Sequence, residues 1–286
     1  MRSAFFLLMI AFGVMMLSGS IGILAPGMPA GVALAVSALA TLAGFGLSAW
    51  LGLCVADGDQ RKIVPMHALS RAQVMYLTMA GVLFVCPASL AADMQLALFA
   101  RMGMVQSSVA TVPAMGLFLP MLIKSVLLAP VCEELFFRGY LMNALRPYSK
   151  RTSLLLSSLA FALVHGVDAA LLPRFALGCL LGMAMVRTGS VLAPMLVHAA
   201  YNFALLVLSF TGLQSVLTGD GLIACAVRVA SCAAFVCALR RMVDCRMLRR
   251  LVSLQDGAAL SRREKALLIG TGIALLAAMI ISGVTA

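Results

Sequence analysis

The chain has few charged residues and long stretches without any. Only 11% of its 286 residues are Asp, Glu, Lys or Arg, whereas soluble proteins average about 25%. Hydrophobic residues make up 63%, and the mean hydropathy is +1.08. A soluble fold of this length could not bury so much apolar surface. The composition therefore indicates an integral membrane protein that needs lipid as its solvent.

The sequence also lacks C-x-x-C pairs, internal repeats and low-complexity segments. Nearly all of its cysteines lie in apolar runs, where cysteine behaves as a small hydrophobic residue. This argues against a disulfide framework or a zinc knuckle. With no soluble segment evident, we interpret residues 1–286 as a single integral membrane domain. The cysteines are Cys54, Cys86, Cys132, Cys179, Cys225, Cys232, Cys237 and Cys245.

Long apolar runs predict an all-α, polytopic membrane helix bundle with about nine transmembrane helices. A helix needs about 20 apolar residues to cross the hydrocarbon core. Residues 1–110 hold the N-terminal spans, 111–215 the central ones, and 216–286 the C-terminal ones with a basic loop at 240–265. The first run is interpreted as a span, because no clear A-x-A cleavage site follows it. The predicted spans are 4–24, 30–53, 72–92, 111–146, 152–168, 171–187, 191–211, 216–240 and 266–285.

Basic residues at the ends of these runs account for the net charge of +11. Such clusters mark cytoplasmic loops, so we expect a cytoplasmic N-terminus and, with nine spans, an external C-terminus. The expected partner of these residues is the lipid bilayer and not nucleic acid. The loop 240–265 is interpreted as a topology anchor, with contact to anionic lipid as the alternative.

Three polar groups interrupt the central runs, where ionisable side chains are costly and a functional role is the default hypothesis. They are Cys-Glu-Glu-Leu-Phe-Phe-Arg at 132–138, Phe-Ala-Leu-Val-His at 161–165, and His-Ala-Ala-Tyr-Asn at 198–202. At 1.5 Å per residue, each lies roughly 16–21 Å from the basic end of its span. The similar depth predicts one shared site.

The spacing of the first group fits a helix. Glu134 and Arg138 are four residues apart, so they share a helix face, with the acid on the favourable N-terminal side. Because 111–146 is too long for one straight span, we expect Pro130 to begin a new helix. The acids would then lie in a first turn, where the helix dipole favours carboxylates.

Together the three groups resemble the CPBP family of membrane endopeptidases, which includes the type II CAAX prenyl proteases and proteins linked to bacteriocin processing and immunity. That family is marked by E-E-x-x-x-R, F-x-x-x-H and H-x-x-x-N on successive transmembrane helices. This chain has the three motifs at 133–138, 161–165 and 198–202, and the resemblance covers about residues 110–215. It implies a hydrolase that cleaves peptide bonds of membrane-associated or lipidated peptides and proteins.

The resemblance also implies roles for single residues. Glu133 would be the general base that activates a water, and His165 would help to hold that water. His198 and Asn202 would bind the oxyanion of the tetrahedral intermediate, a contribution worth on the order of 3 kcal/mol for a single donor.

Glu134 would pair with Arg138 and fix the geometry of the site. Whether the site uses a metal cofactor is left open by the resemblance. Family members are often catalogued as metalloproteases, and Glu133, His165 and His198 could form a zinc set. Metal-free glutamate catalysis is favoured, because the sequence has no H-E-x-x-H and an asparagine suits an oxyanion site better than a zinc shell.

Three further residues have side chains capable of a functional role. Cys132 adjoins the acid pair but should face away from Glu133, so it is not expected to be a nucleophile. Arg228 lies mid-span and should have an acidic or carbonyl partner, with binding of a substrate carboxylate as the sharper alternative. His67 is expected to be a solvated loop residue.

Two other function classes stay open. One is a non-catalytic membrane protein for binding or immunity, and the other is a small transporter, although no inverted repeat is evident. Intact motifs favour the protease. The compact chain with small loops favours a prokaryotic plasma membrane, with the active site reached from the cytoplasmic side. The sequence does not indicate the substrate, its prenylation or the oligomeric state.

Overall fold

The structure, a computed structural model, describes residues 6–14, 17–18, 27–56, 63–101, 113–166, 170–213 and 221–242. All regular secondary structure within these ranges is helical, which confirms the all-α class. Residues 6–14 are helical, and seven longer helices follow. They are α1 Ala30–Val55, α2 Arg71–Arg101, α3 Met115–Ala144, α4 Lys150–Leu163, α5 Leu171–Thr188, α6 Leu192–Thr211 and α7 Leu222–Met242.

By length and composition, six of these helices are able to cross a membrane, and α4 is the exception. They support a multi-pass membrane protein. The predicted span 152–168 corresponds to α4, whose 14 residues reach about 21 Å, less than the hydrocarbon core of about 30 Å. Of the other predicted spans, 266–285 and parts of 4–24, 111–146 and 216–240 lie outside the described residues, as does the predicted basic loop from 243 onward. The total of nine and the cytoplasmic N-terminus stay predictions.

Short polar residues and glycines set the ends of several helices. Ser70 begins α2 with a capping box, in which its hydroxyl accepts the backbone N–H of Gln73 and the Gln73 side chain accepts that of Ser70. Ser149 caps α4 in the same way, by accepting the N–H of Thr152. The helices α5 and α6 end at Gly189 and Gly212, whose φ angles of 66° and 68° suit a residue without a Cβ.

The helix α3 continues through Pro130, so the predicted restart there is wrong. Leu128 and Ala129 have helical backbone angles, with φ/ψ of −68°/−52° and −61°/−51°. The preceding turn, Leu122–Leu128, is π-helical, and a wider turn relieves the clash between a proline ring and the carbonyl four residues earlier. The acids therefore lie mid-helix and not in a first turn, and a second π-helical segment, Leu135–Leu141, follows them.

Glycines allow close packing between the helices that surround the polar groups. A Cβ on Gly81 of α2 would collide with the carbonyl oxygen of Val197 of α6. A Cβ on Gly182 of α5 would lie 2.8 Å from Cγ of Leu154 of α4. Because these contacts leave no space for a larger residue, they fix how near α6 lies to α2 and α5 to α4.

Candidate active site

One oxygen of Glu134 binds two side chains. Arg138, one turn later on α3, donates from Nη1 to Oε1 at 3.0 Å, the contact that the four-residue spacing predicts. Nδ1 of His198, from α6, lies 2.9 Å from the same oxygen. An ionised carboxylate only accepts hydrogen bonds, so Nδ1 of His198 carries the hydrogen. The three side chains form a buried cluster that joins α3 to α6.

The guanidinium of Arg138 is fully buried and has partners beyond Glu134. Its Nη2 donates to the carbonyl oxygen of Gly178 on α5 at 3.1 Å. Its Cζ lies 4.7 Å from the centre of the Phe161 ring, a cation–π contact. A Cβ on Gly178 would lie 3.0 Å from Cα and Cβ of Ser158, so a glycine is needed for this close crossing of α4 and α5.

Glu133 and His165 face each other across a short gap. The distance from Oε2 to Nε2 is 3.6 Å, too long for a hydrogen bond and compatible with a bridging water. Nδ1 of His165 lies 2.7 Å from the carbonyl oxygen of Phe161. Because a carbonyl only accepts, Nδ1 carries the hydrogen. When the ring is neutral, Nε2 is therefore an acceptor. The His165 side chain is 21% exposed and that of Glu133 is 6% exposed.

Two aromatic rings hold the imidazole of His165. The Phe161 ring, one turn earlier, has its centre 5.0 Å from that of the imidazole. Phe45 stacks against the imidazole at 6.3 Å with an interplanar angle of 23°. Phe45 is fully buried and belongs to a π-helical segment of α1, Leu42–Leu47. A residue from outside the three motifs therefore contributes to the orientation of His165.

Asn202 contacts the acid-bearing helix through its backbone. Its Nδ2 donates to the carbonyl oxygen of Ser125 at 2.7 Å. Ser125 lies in the π-helical segment Leu122–Leu128 of α3, and Asn202 lies one turn after His198 on α6. The helices α3 and α6 are thus joined twice, once at each of these two residues of α6.

A protein-family model matches this part of the chain. Residues 115–204 match the family described as type II CAAX prenyl endopeptidase Rce1-like. Over these residues the chain is similar to this protease family, and the match covers less than half of its 286 residues. The matched segment begins with α3 and ends within α6, so it includes all three motifs of the polar site. Comparisons with curated proteins and with solved structures gave no match.

The donor set of the polar site does not fit a three-ligand zinc site. Among the described residues, no group of three His, Cys, Asp or Glu side chains is arranged to hold a metal ion. His198 directs Nδ1 at Glu134, whereas Glu133 faces His165. A catalytic zinc normally has three protein ligands converging on it, and these side chains do not converge in that way.

Arg228 of α7 has the acidic partner that its mid-span position predicts. Its Nη1 lies 3.6 Å from Oδ2 of Asp93 on α2. Binding of a substrate carboxylate by Arg228 stays a prediction. Cys132 is buried, and a Cβ added to Gly46 of α1 would lie 3.3 Å from its Sγ, so the thiol faces α1.

Three contributors to the site were missed in the sequence, namely Phe45, Ser125 and Gly178. Ser125 and Gly178 act through backbone carbonyls, which every residue has, so no residue type marks them. Phe45 carried a weak signal, because it stands between two glycines in an apolar run. An aromatic side chain between glycines is compatible with close helix packing around its ring, but the pattern does not indicate which residue the ring contacts.

Proposed function

We propose that this chain is an intramembrane endopeptidase that hydrolyses peptide bonds with a water activated by Glu133. The observation that carries the proposal is the 3.6 Å gap between Oε2 of Glu133 and Nε2 of His165. Oε2 of Glu133 is buried and accepts no hydrogen bond from the residues that the structure describes. A buried carboxylate oxygen with spare capacity, aimed at an imidazole, is suited to general-base catalysis.

The hydrogen-bond pattern suits a water between these two groups. Ionised Glu133 and Nε2 of neutral His165 are both acceptors, so a bridging water would donate one hydrogen to each. Its lone pairs would then be directed away from both, toward a peptide carbonyl. In the attack, the water oxygen bonds to the carbonyl carbon and its proton passes to Glu133. The same proton goes on to the amine nitrogen as the C–N bond breaks, which regenerates the carboxylate.

The cluster around Glu134 would stabilise the oxyanion that this attack creates. Nδ1 of His198 donates to Glu134, so its Nε2 is the ring nitrogen left for substrate. In the protonated ring, the Nε2–H would donate to the oxyanion. The second amide hydrogen of Asn202 is the other donor, because the first is held by a carbonyl.

The family description suggests the class of substrate. The matched family is described as type II CAAX prenyl endopeptidase, and we propose a membrane-associated or lipidated peptide or protein as the substrate of this chain. We also propose a prokaryotic plasma membrane, with the substrate reaching the site from the cytoplasmic side. The basic ends of α4 and α7, with Lys150, Arg151, Arg240 and Arg241, support that side by the positive-inside rule.

The proposal is tested by incubating purified, detergent-solubilised protein with a panel of fluorogenic peptides, with and without a lipid chain. We expect Glu133→Gln to lower kcat by about 10³-fold, because the substitution keeps the shape and removes the base. His198→Ala should lower kcat by about 10²-fold through loss of an oxyanion donor.

The matched control is His67→Ala, since this exposed histidine lies outside the site and should leave kcat unchanged. Cleavage that survives in the Glu133→Gln protein would disprove the assigned base. Absence of cleavage by the folded wild type on all peptides would count against the protease function. A parallel assay with a chelator should give the same rates, and loss of activity that added zinc restores would overturn the metal-free mechanism.

A further inference from the structure

The carbonyl of Ser125 has lost both of its helical hydrogen-bond donors. In an α-helix it would accept the N–H of Ala129, four residues later. That N–H instead bonds to the oxygen of Lys124, five residues back, in the π-helical register. In that register the donor for Ser125 would be residue 130, which is Pro130 and has no N–H.

Asn202 supplies the donor that the helix cannot. Its Nδ2 lies 2.7 Å from the half-buried Ser125 oxygen, and a carbonyl shielded from water costs free energy when it has no partner. Pro130 itself is buried in α3, three residues before Glu133. The proline, the wide turn and the asparagine are therefore parts of one hydrogen-bond arrangement.

From this geometry we infer that Pro130 is a positioning residue of the site, which acts by leaving the Ser125 carbonyl to Asn202. The bond holds α6 against α3 one turn from His198, whose Nδ1 binds Glu134 at 2.9 Å. The same bond also fixes the orientation of the Asn202 side-chain amide, so the second hydrogen of that amide points in one direction. The consequence for catalysis rests on the proposed protease function, whereas the hydrogen-bond exchange does not.

A double-mutant cycle tests the exchange without any substrate. The thermal midpoints Tm of wild type, Asn202→Leu, Pro130→Ala and the double variant are measured in detergent. In the wild-type background, Asn202→Leu should lower Tm by about 5 °C, because the Ser125 carbonyl loses its donor. In the Pro130→Ala background, the backbone N–H of Ala at position 130 can donate to the Ser125 carbonyl in place of Asn202. The drop in Tm caused by Asn202→Leu should therefore be less than half as large.

The matched control is Pro120→Ala. Pro120 lies in the same helix but is exposed, and its replacement should leave the effect of Asn202→Leu unchanged. An equal drop in all three backgrounds would overturn the inference. If the leucine variant does not fold, Asn202→Ser takes its place in the cycle, with the same expected pattern.

The kinetic consequence is measured with a peptide that the wild type cleaves. Pro130→Ala should lower kcat about tenfold with KM unchanged, because Asn202 loses its anchor while substrate binding is retained. Unchanged kcat together with a coupled Tm cycle would overturn the positioning role. If the wild type cleaves nothing, the proposed function fails, and the Tm cycle still decides whether Pro130 and Asn202 share the Ser125 carbonyl.

Discussion

Glu133 and Glu134 are neighbours in sequence, yet their surroundings differ. Glu134 binds Arg138 and His198 at 3.0 and 2.9 Å, and its side chain is fully buried. Glu133 faces the partly exposed His165 at 3.6 Å, without a direct hydrogen bond. Successive residues of a helix point about 100° apart. One helix thus directs one acid into a closed framework and the other at a gap that suits a reacting water.

The largest expected effect is a difference in stability between variants of Glu134 and of Glu133. Glu134→Gln removes the charge that compensates the buried Arg138, and we expect it to lower the free energy of unfolding by about 3 kcal/mol. Glu133→Gln should change it by less than about 1 kcal/mol, because Oε2 of this carboxylate accepts no hydrogen bond from the described residues. Denaturant titration in mixed micelles measures both values. Equal losses would show that both acids belong to the structural framework.

A smaller effect should follow when the support of Arg138 is crowded. In Gly178→Ala the added methyl would meet Ser158 at 3.0 Å, so α5 must move away from α4 and its carbonyl away from Arg138. We expect a loss of about 2 kcal/mol by the same titration. Gly31→Ala is the control, since its Cβ would have no neighbour within 4 Å. If the two alanine variants were equally stable, the close crossing would not support the ion pair.

The smallest expected effect concerns Glu133 and the imidazole of His165 that it faces. Phe45→Leu removes the ring that stacks on His165, which should lower kcat about tenfold without changing substrate binding. Steady-state kinetics on a cleaved peptide separates kcat from KM. The control is Phe6→Leu, because that ring is 66% exposed. A rise in KM alone would place Phe45 in substrate binding instead of in the positioning of His165.

The sequence predicted the composition of the site better than its connections. The spacing of Glu134 and Arg138 was sufficient, because four residues on a helix bring side chains together whatever the rest of the fold does. The bond from His198 to Glu134 joins residues 64 positions apart, so it depends on the packing of α3 against α6. No local pattern specifies such a contact.

The wrong expectation at Pro130 has a physical reason. Proline breaks an α-helix because its ring clashes with the carbonyl four residues earlier and because its backbone nitrogen has no hydrogen to donate. The π-helical turn before Pro130 changes that geometry, and Asn202, 77 positions from its carbonyl partner, supplies the missing donor. A rule based on nearby residues cannot include a donor from another helix.

The π-helical segments on both sides of the acids also affect the rotational phase of α3. Each wide turn accommodates an extra residue, and one residue corresponds to about 100° of rotation. The faces before Leu122, between the two segments and after Leu141 are therefore out of step with one another. A helical wheel drawn with one period through all of α3 assigns residues to the wrong faces, and the lipid-facing side must be read separately for each of its three parts.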